Sequence, residues 1–477
     1  MNRQMLVPVG VLVVVVALIG LLVVLGQQEQ SAGKSETLAP TVGAKAKAPR
    51  GKAKGPTKVD PAKLLHVADP LAARGDAPEG APNLVLIVVD ALRRDQMSMY
   101  GGMESTTPFL SRLAAAGVVF DDTIASGPWS RPALVSLATG QHPATVGMIQ
   151  PNDEGNQRVL ADGVTTLAER LQQAGWYTAG VTANFNNNHK YGLAQGFDAW
   201  RDSHPSSFNP RVRLAAEDAV DELFQLLDKR PADAKERPVF AQLSWVDLHK
   251  PFVVTKEEAE PFEQEADNIA PYRAMVKRTD DAVEKLVSGL ESRGLTPKNT
   301  VVAFVAAHGE GLAMPGHHGK QHGRTLYRSA VQVPWVVAGP GVKAGHRVGG
   351  MSHHTDVMPT LLGLVGVGVG EERLAGLDLA PLARGEGDAV ERDAVYTDTW
   401  YFTANHAAIY TSDRVCQRDF GSTGGQPIPT GCYDRAADPD ANRIADSDGD
   451  PLFAELEAWR TARGAEYDAW PHTTDAP

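Results

Sequence analysis

Basic charge is in short supply in this chain: 46 lysines and arginines against 58 aspartates and glutamates leave a formal net charge of −12 over 477 residues. The acidic surplus is spread along the sequence and no face is marked out to neutralise phosphates, so nucleic acid is not an expected partner. Cysteine is scarcer still, with only Cys416 and Cys432, both near the C-terminus. Neither follows the N-terminal apolar run closely, which excludes a lipid-modified N-terminal cysteine. The loop between them contains Gly421, Gly424, Gly425 and Pro427. In an oxidising compartment the pair closes that loop as a disulfide; otherwise it stands as two half-buried thiols, and the sequence favours neither. No internal repeat is present.

Charge is missing altogether from Met5 to Gly26, a run long enough to cross a bilayer. It follows Arg3 as a signal peptide would, but it is longer than a usual signal core and no small-x-small cleavage site comes after it. Residues 1–26 therefore read as an uncleaved anchor. Arg3 marks the N-terminal side as cytoplasmic, with Lys34, Lys45 and Lys47 arguing weakly the other way. The expectation is a single-pass protein with its folded part outside the cytoplasm, periplasmic or extracellular, and the membrane as a partner through this helix. Apolar periodicity is lacking from 27 to 82, where Ala, Lys, Pro and Gly dominate, and this stretch reads as a flexible linker.

What is abundant comes after Asn83. At 43% hydrophobic residues the chain can bury one large core and a smaller one. Leu84 to Val89 is a continuous aliphatic run, too short for a helix and bounded by Pro82 and Asp90, as a buried parallel strand would be. Similar runs recur at Tyr177–Thr182, Val239–Trp245, Thr300–Ala306 and Val333–Ala338. Amphipathic helix patterns lie between them at Thr107–Ala116, Thr165–Ala174, Val212–Leu227 and Ala270–Arg293. The alternation predicts a wound α/β fold, a mostly parallel sheet with helices on both faces, over residues 83–370. The rhythm weakens after Gly370, so 371–477 is expected to form a smaller α+β subdomain, with short segments at Ala394–Thr399 and Ala407–Ile409 and a helix near Leu452–Thr461.

In wound sheets ligands bind beyond the carboxyl ends of the strands. Asp90 ends the first strand, where a carboxylate can bind a divalent cation or cap the next helix. Ser130, in Gly-Pro-Trp-Ser-Arg-Pro-Ala-Leu, stands where a loop enters a helix, a position suited to an anionic ester, but its hydroxyl needs a base or metal to become a nucleophile. His308 ends the strand Thr300–Ala306 after one further residue, where it can ligate a metal or stabilise negative charge. The loop Gly316-His317-His318-Gly319-Lys320-Gln321-His322-Gly323 is rich in cationic and ligating groups; His317 and His318 read as solvated.

Taken together, these segments resemble the sulfatase family of the alkaline phosphatase superfamily in order, spacing and flanks, from Asn83 to about Asp450. Asn83–Gly101 is similar to the family's opening strand with its metal aspartate. Gly127–Gly147, with Thr139-Gly140 and Pro143, is similar to its nucleophile loop, Val246-Asp247-Leu248-His249-Lys250-Pro251 to its substrate-facing histidine loop, and His308-Gly309-Glu310 to its metal motif. The resemblance implies a hydrolase of sulfate or phosphate esters borne on a small molecule, glycan or lipid. Ser130 would attack sulfur or phosphorus. Asp90, His308 and Ser130 would hold a divalent cation, calcium first, with magnesium, manganese and zinc as alternatives. His249 and His322 would bind the anion or protonate the leaving oxygen, and Asn184 and Lys320 would touch the substrate. Asp356 is expected to cap a helix, or to supply a replacement ligand.

The sequence also departs from the family. There the nucleophile is oxidised to formylglycine, directed by a Pro two residues on and an Arg four residues on; here Pro132 is present but Leu134 fills the arginine position, which speaks against oxidation of Ser130. A plain serine suits phosphoryl transfer, because water can displace a serine phosphate. Ala91 and Ala307 stand where the family often has carboxylates. The same departures support a second expectation, a degenerate relative that keeps the pocket as a binding module for anionic glycans, lipids or a protein partner.

Overall fold

The strand Asn83–Val89 is fully buried from Leu84 onward, and its side chains divide by parity between two separate apolar clusters, Val85, Ile87 and Val89 in one and Leu84, Leu86 and Val88 in the other. An aliphatic run of this kind is stable only when both faces of its sheet are covered. In the computed structural model, which describes residues 65–66, 74–150, 158–202, 214–264, 268–313, 321–370, 374–423, 428–437, 444–445 and 449–469, both faces are. The strands in chain order are β1 (Leu65–His66), β2 (Asn83–Val89), β3 (Gly117–Ile124), β4 (Tyr177–Thr182), β5 (Ala199–Arg201), β6 (Val239–Trp245), β7 (Thr300–Ala306), β8 (Gln332–Ala338) and β9 (His346–His353). They form one nine-stranded sheet in the order β1-β5-β4-β6-β2-β7-β8-β3-β9. From β5 to β7 all pairings are parallel. β8 runs against β7 and β3, and β1 runs against β5.

Three longer helices cover each face. Helices α1 (Pro108–Ala115), α4 (Ala216–Asp228) and α5 (Ala270–Glu291) contribute Leu110, Leu223 and Val283 to the cluster of Val85 and Ile87. Helices α2 (Ser130–Thr139), α3 (Leu167–Gln173) and α6 (Val357–Val365) contribute Leu134, Leu171 and Leu361 to the cluster of Leu84 and Leu86. Their ends follow local chemistry. Thr166 and Glu169 form a reciprocal capping box on α3, and α2 stops at Gly140, whose φ of 63° suits a residue without a Cβ.

The C-terminal part is a four-stranded antiparallel sheet of β10 (Ala394–Thr399), β11 (His406–Thr411), β12 (Arg414–Asp419) and β13 (Gly431–Asp434). Helix α7 (Pro451–Ala469) packs Phe453 and Leu456 against Ala407 and Ile409. Cys416 and Cys432 are register partners on β12 and β13 and are joined as a disulfide, so of the two alternatives left by the sequence the structure takes the bridge.

The wound sheet and its helix layers match expectation; several strands do not appear in the sequence pattern. β3 carries Asp121 and Asp122 at its bulge, and β9 reads His-Arg-Val-Gly-Gly-Met-Ser-His, without an apolar run. The stretch 27–82, expected as a flexible linker, includes docked residues: Leu65–His66 pair with β5, Gly75 N donates to Gln173 O at 2.7 Å, and Arg74 is ion-paired with Asp198. The apolar run 5–26 and the residues His317, His318 and Lys320 lie outside the described residues. Among the described residues no helix is long and apolar enough to cross a membrane.

Candidate functional site

The parallel strands end side by side, and the residues that follow them form one cluster. Asp90 follows β2 directly, Asn184 lies two residues after β4, His249 four after β6 and His308 two after β7. Ser130 opens α2, with extended Trp129 before it and Pro132 in its first turn, where the missing N–H costs nothing. The backbone is strained beside the first of these residues: Ala91 has a φ of 58°, a left-handed conformation that costs a residue with a Cβ about 1–2 kcal/mol. Tyr272 on α5 holds it there, its hydroxyl donating to Ala91 O at 2.7 Å and accepting from Arg93 N at 2.8 Å.

Asp90 is fully buried and is the hub. Its Oδ2 accepts hydrogen bonds from Ser130 Oγ and, at 2.8 Å, from Asn184 Nδ2, and it lies 3.5 Å from His308 Nε2. Burial alone would raise the carboxyl pKa, but the hydrogen bond and charge of His308, with His249 and Ser130 behind them, hold it below the ordinary value. For His308 burial works toward the neutral form and Asp90 outweighs it, so its pKa is raised. Asn184 uses its other amide atom as well, Oδ1 accepting from Asn186 N at 3.0 Å. Both ends are thus committed to orienting Asp90 and the turn after β4.

The histidines expected from the sequence converge. Ring centroids are 5.6 Å apart for His249 and His308, 4.8 Å for His249 and His322, and 4.5 Å for His308 and His322. His249 is buried, and burial together with the neighbouring His322 pushes its pKa down to about 3. His322 Nδ1 faces Glu310 Oε2 at 2.9 Å. Burial pulls the Glu310 carboxyl up, but the bond and charge of His322 bring it to about 2.

A residue that sequence reasoning passed over stands next to the nucleophile candidate. Arg131 is buried, stacks on the Tyr191 ring at 3.9 Å and donates to Asn186 Oδ1 at 3.2 Å. Burial lowers its pKa to about 10, so the guanidinium remains charged at neutral pH, a fixed cation adjoining Ser130. Only its position in the segment Trp-Ser-Arg-Pro signalled it. Asp356, by contrast, is no replacement ligand: it accepts from His353 N at 2.7 Å and Leu377 N at 2.8 Å and pairs with Arg392 at 2.7 Å. The grouping of Cys416 and Cys432 with Asp450 offers no thiolate, because the sulfurs are spent on the disulfide.

A divalent cation fits this cluster. Asp90 Oδ1 is buried with no hydrogen-bond partner among the described residues, a costly arrangement for a carboxylate unless something else binds the atom. Calcium's oxygen cage does not fit it. The register of β2 and β7 pairs Val89 with Ala306, so Ala307 lies beside Asp90 with a methyl group where a carboxylate would complete such a cage, and Ala91 offers another.

The comparisons agree with this frame. A family model described as Sulfatase matches residues 82–367. An ulvan-active sulfatase of Formosa agariphila is 24% identical over 427 residues, 81% of each chain, and the N-acetylgalactosamine-6-sulfatase of Rattus norvegicus is 26% identical over 384 residues, 70% of this chain and 71% of its own. Among solved structures, Ps i-CgsB in complex with k-i-k-neocarrahexaose superposes with a TM-score of 0.66 at 20% identity, covering 83% of this chain and 95% of that one. The phosphonate monoester hydrolase of Agrobacterium radiobacter does so with a TM-score of 0.63 at 18% identity, covering 82% and 96%. A match over more than half the chain, spanning Asp90, Ser130 and His308, makes this protein a member of the sulfatase family of ester hydrolases.

Proposed function

We propose that the chain hydrolyses sulfate or phosphate esters with unoxidised Ser130 as its nucleophile, and that phosphate esters are the better substrates. The observation that carries the reading is the hydrogen bond from Ser130 Oγ to buried Asp90 at the first turn of α2. With its proton directed at Asp90, the hydroxyl keeps its lone pairs for the ester, and the backbone N–H groups at the start of the helix favour the ester's negative charge. Asp90 is held below its ordinary pKa and is therefore an acceptor at neutral pH.

In this reading Oγ forms a bond to phosphorus or sulfur as the bond to the leaving oxygen breaks, and water then displaces the serine ester. His308 lies beside Asp90, the partner of the hydroxyl, with His249 and His322 packed against His308, and these groups carry the task of binding the ester's oxygens. A divalent cation held at Asp90 and His308, beside the Ser130 hydroxyl, would, when bound, lower the hydroxyl pKa and draw charge from the ester. Leu134 supports phosphorus over sulfur, because the arginine that accompanies formylglycine formation is missing and a plain serine sulfate lacks the elimination exit of the aldehyde hydrate. The fold is shared with a phosphonate monoester hydrolase as well as with sulfatases, so it is compatible with both. The disulfide and the uncharged run 5–26 support a membrane-tethered location outside the cytoplasm.

Turnover of an aryl sulfate, a phosphate monoester and a phosphodiester by wild type and Ser130→Ala tests the proposal, with intact-peptide mass spectrometry across Ser130. Ser130→Ala is expected to lose roughly a thousandfold or more in kcat/KM on the phosphate ester. An aldehyde at position 130 with sulfate as the preferred substrate would overturn the assignment of chemistry, and unchanged turnover in Ser130→Ala would overturn the nucleophile.

A further inference from the structure

Calcium takes roughly six to eight oxygen donors, several of them carboxylate oxygens. Around Asp90 this chain has methyl groups at Ala91 and Ala307, and Glu310, a further acid beside the histidines among the described residues, is occupied: Oε1 accepts from Gly311 N at 2.8 Å and Oε2 faces His322 Nδ1 at 2.9 Å. What the cluster has in quantity is imidazole nitrogen. His249, His308 and His322 each present a ring nitrogen within 4.8 Å of the others.

The outer hydrogen bonds of the three rings follow one pattern. His249 Nδ1 lies 3.1 Å from Val246 O, His308 Nδ1 lies 2.8 Å from Gly309 O, and His322 Nδ1 lies 2.9 Å from Glu310 Oε2. A carbonyl or ionised carboxylate oxygen only accepts, so each Nδ1 carries the proton and donates it. When such a ring is neutral, as it is when it binds a metal, its lone pair is on Nε2. This is the arrangement by which outer partners fix a ligating histidine's tautomer and orientation. His308 Nε2 also lies 3.5 Å from Asp90 Oδ2, and Asp90 Oδ1 has no hydrogen-bond partner among the described residues, so a carboxylate adjoins the histidine group at His308. Three imidazoles and one carboxylate suit a borderline cation such as zinc, whose sites are commonly four-coordinate with nitrogen and oxygen donors, and suit calcium or magnesium poorly.

We propose that His249, His308 and His322, with Asp90, bind a divalent d-block cation of the zinc class in place of calcium. His249 and His322 then act on the ester through the cation they share with His308. The purpose of the cation rests on the hydrolase reading above; its binding does not.

The test uses the full chain stripped of metal by a chelator and titrated calorimetrically with Zn²⁺ and, separately, Ca²⁺, with Co²⁺ as a spectroscopic probe. The expected result is one Zn²⁺ per chain, bound at least about a hundredfold more tightly than Ca²⁺, and visible cobalt bands of tetrahedral strength. His322→Ala and His249→Ala are each expected to weaken Zn²⁺ binding about tenfold or more and to alter the cobalt spectrum. Glu310→Gln, which keeps the ring and changes only its outer partner, is expected to weaken it by about tenfold. Calcium binding as tight as zinc, no zinc binding at all, or wild-type zinc affinity in all three folded variants would overturn the inference. Turnover is scored apart: zinc bound at these histidines without Ser130-dependent hydrolysis upholds the cation site and removes the hydrolase reading.

Discussion

Ala307 decides how the site differs from an oxygen cage, and it offers a direct perturbation. It is fully buried, and the β2–β7 register puts it beside Asp90. Ala307→Asp would set two carboxylates next to each other out of water, an arrangement that costs roughly 2–5 kcal/mol unless a cation separates them. The melting temperature in chelator is therefore expected to fall by several degrees, and calcium is expected to restore it in proportion to its concentration, since a ligand that binds only the folded state stabilises by mass action. Thermal melts of wild type and variant across a calcium series check this; a variant that melts like wild type in chelator would show that the new carboxylate escapes Asp90. Asp90, Ser130 and His308 were readable from the sequence because each closely follows a strand or opens a helix, where side chains project beyond the sheet, whereas His249 and His322 were reached through the resemblance to the family's loops. Arg131 was not, because its role depends on the Tyr191 ring it stacks against, a contact sixty residues along the chain that no local pattern encodes.

At the scale of elements, legibility followed burial. β2, β6 and β7 are covered on both faces and are written as unbroken apolar runs, so they were found nearly to the residue. β9 is the edge strand on the far side of the sheet and β3 lies next to it, one carrying paired glycines and the other aspartates at a bulge. Their positions are set by the neighbours they pair with, and pairing leaves little trace in composition. The C-terminal sheet shows the same limit, with β12 and β13 identified only by their partners and by the bridge between them. Cys416 and Cys432 close a loop of sequence separation 16, for which loop-closure entropy gives roughly 3 kcal/mol of stabilisation. Replacing both cysteines by alanine is expected to lower stability by about that amount, visible as a shifted denaturation midpoint. An unchanged midpoint would mean that α7, packed on the same sheet through Phe453 and Leu456, holds it without the covalent link.

At the scale of the molecule, the large sheet and the C-terminal sheet are joined through polar contacts, most of them partly buried, as well as apolar ones. Arg435 pairs with Asp122 of β3 at 2.7 Å, and Thr145 donates to Glu466 of α7 at 2.7 Å. The most deeply set of these contacts is Asp398 on β10, fully buried, 2.9 Å from Arg460 of α7 and 3.7 Å from His142 Nε2. Burial raises the Asp398 pKa to about 6 despite the attraction of Arg460 and Arg463, while burial, with the charges of His353 and the two arginines, keeps His142 well below its ordinary value and hence neutral. In the unfolded chain Asp398 titrates near the ordinary aspartate value of 3.8. Between these two values the folded protein holds a proton that the unfolded chain has released, so this group's contribution to stability is full below about pH 4 and declines as pH rises through 6, by about 3 kcal/mol in all. Asp398→Asn cannot titrate, so the difference in melting temperature, wild type minus variant, is expected to grow on acidification from pH 7 to pH 4. A difference that is flat across this range, or that shrinks, would mean that Arg460 keeps Asp398 ionised throughout, and that α7 is held to the body by a permanent ion pair instead of a proton-linked one.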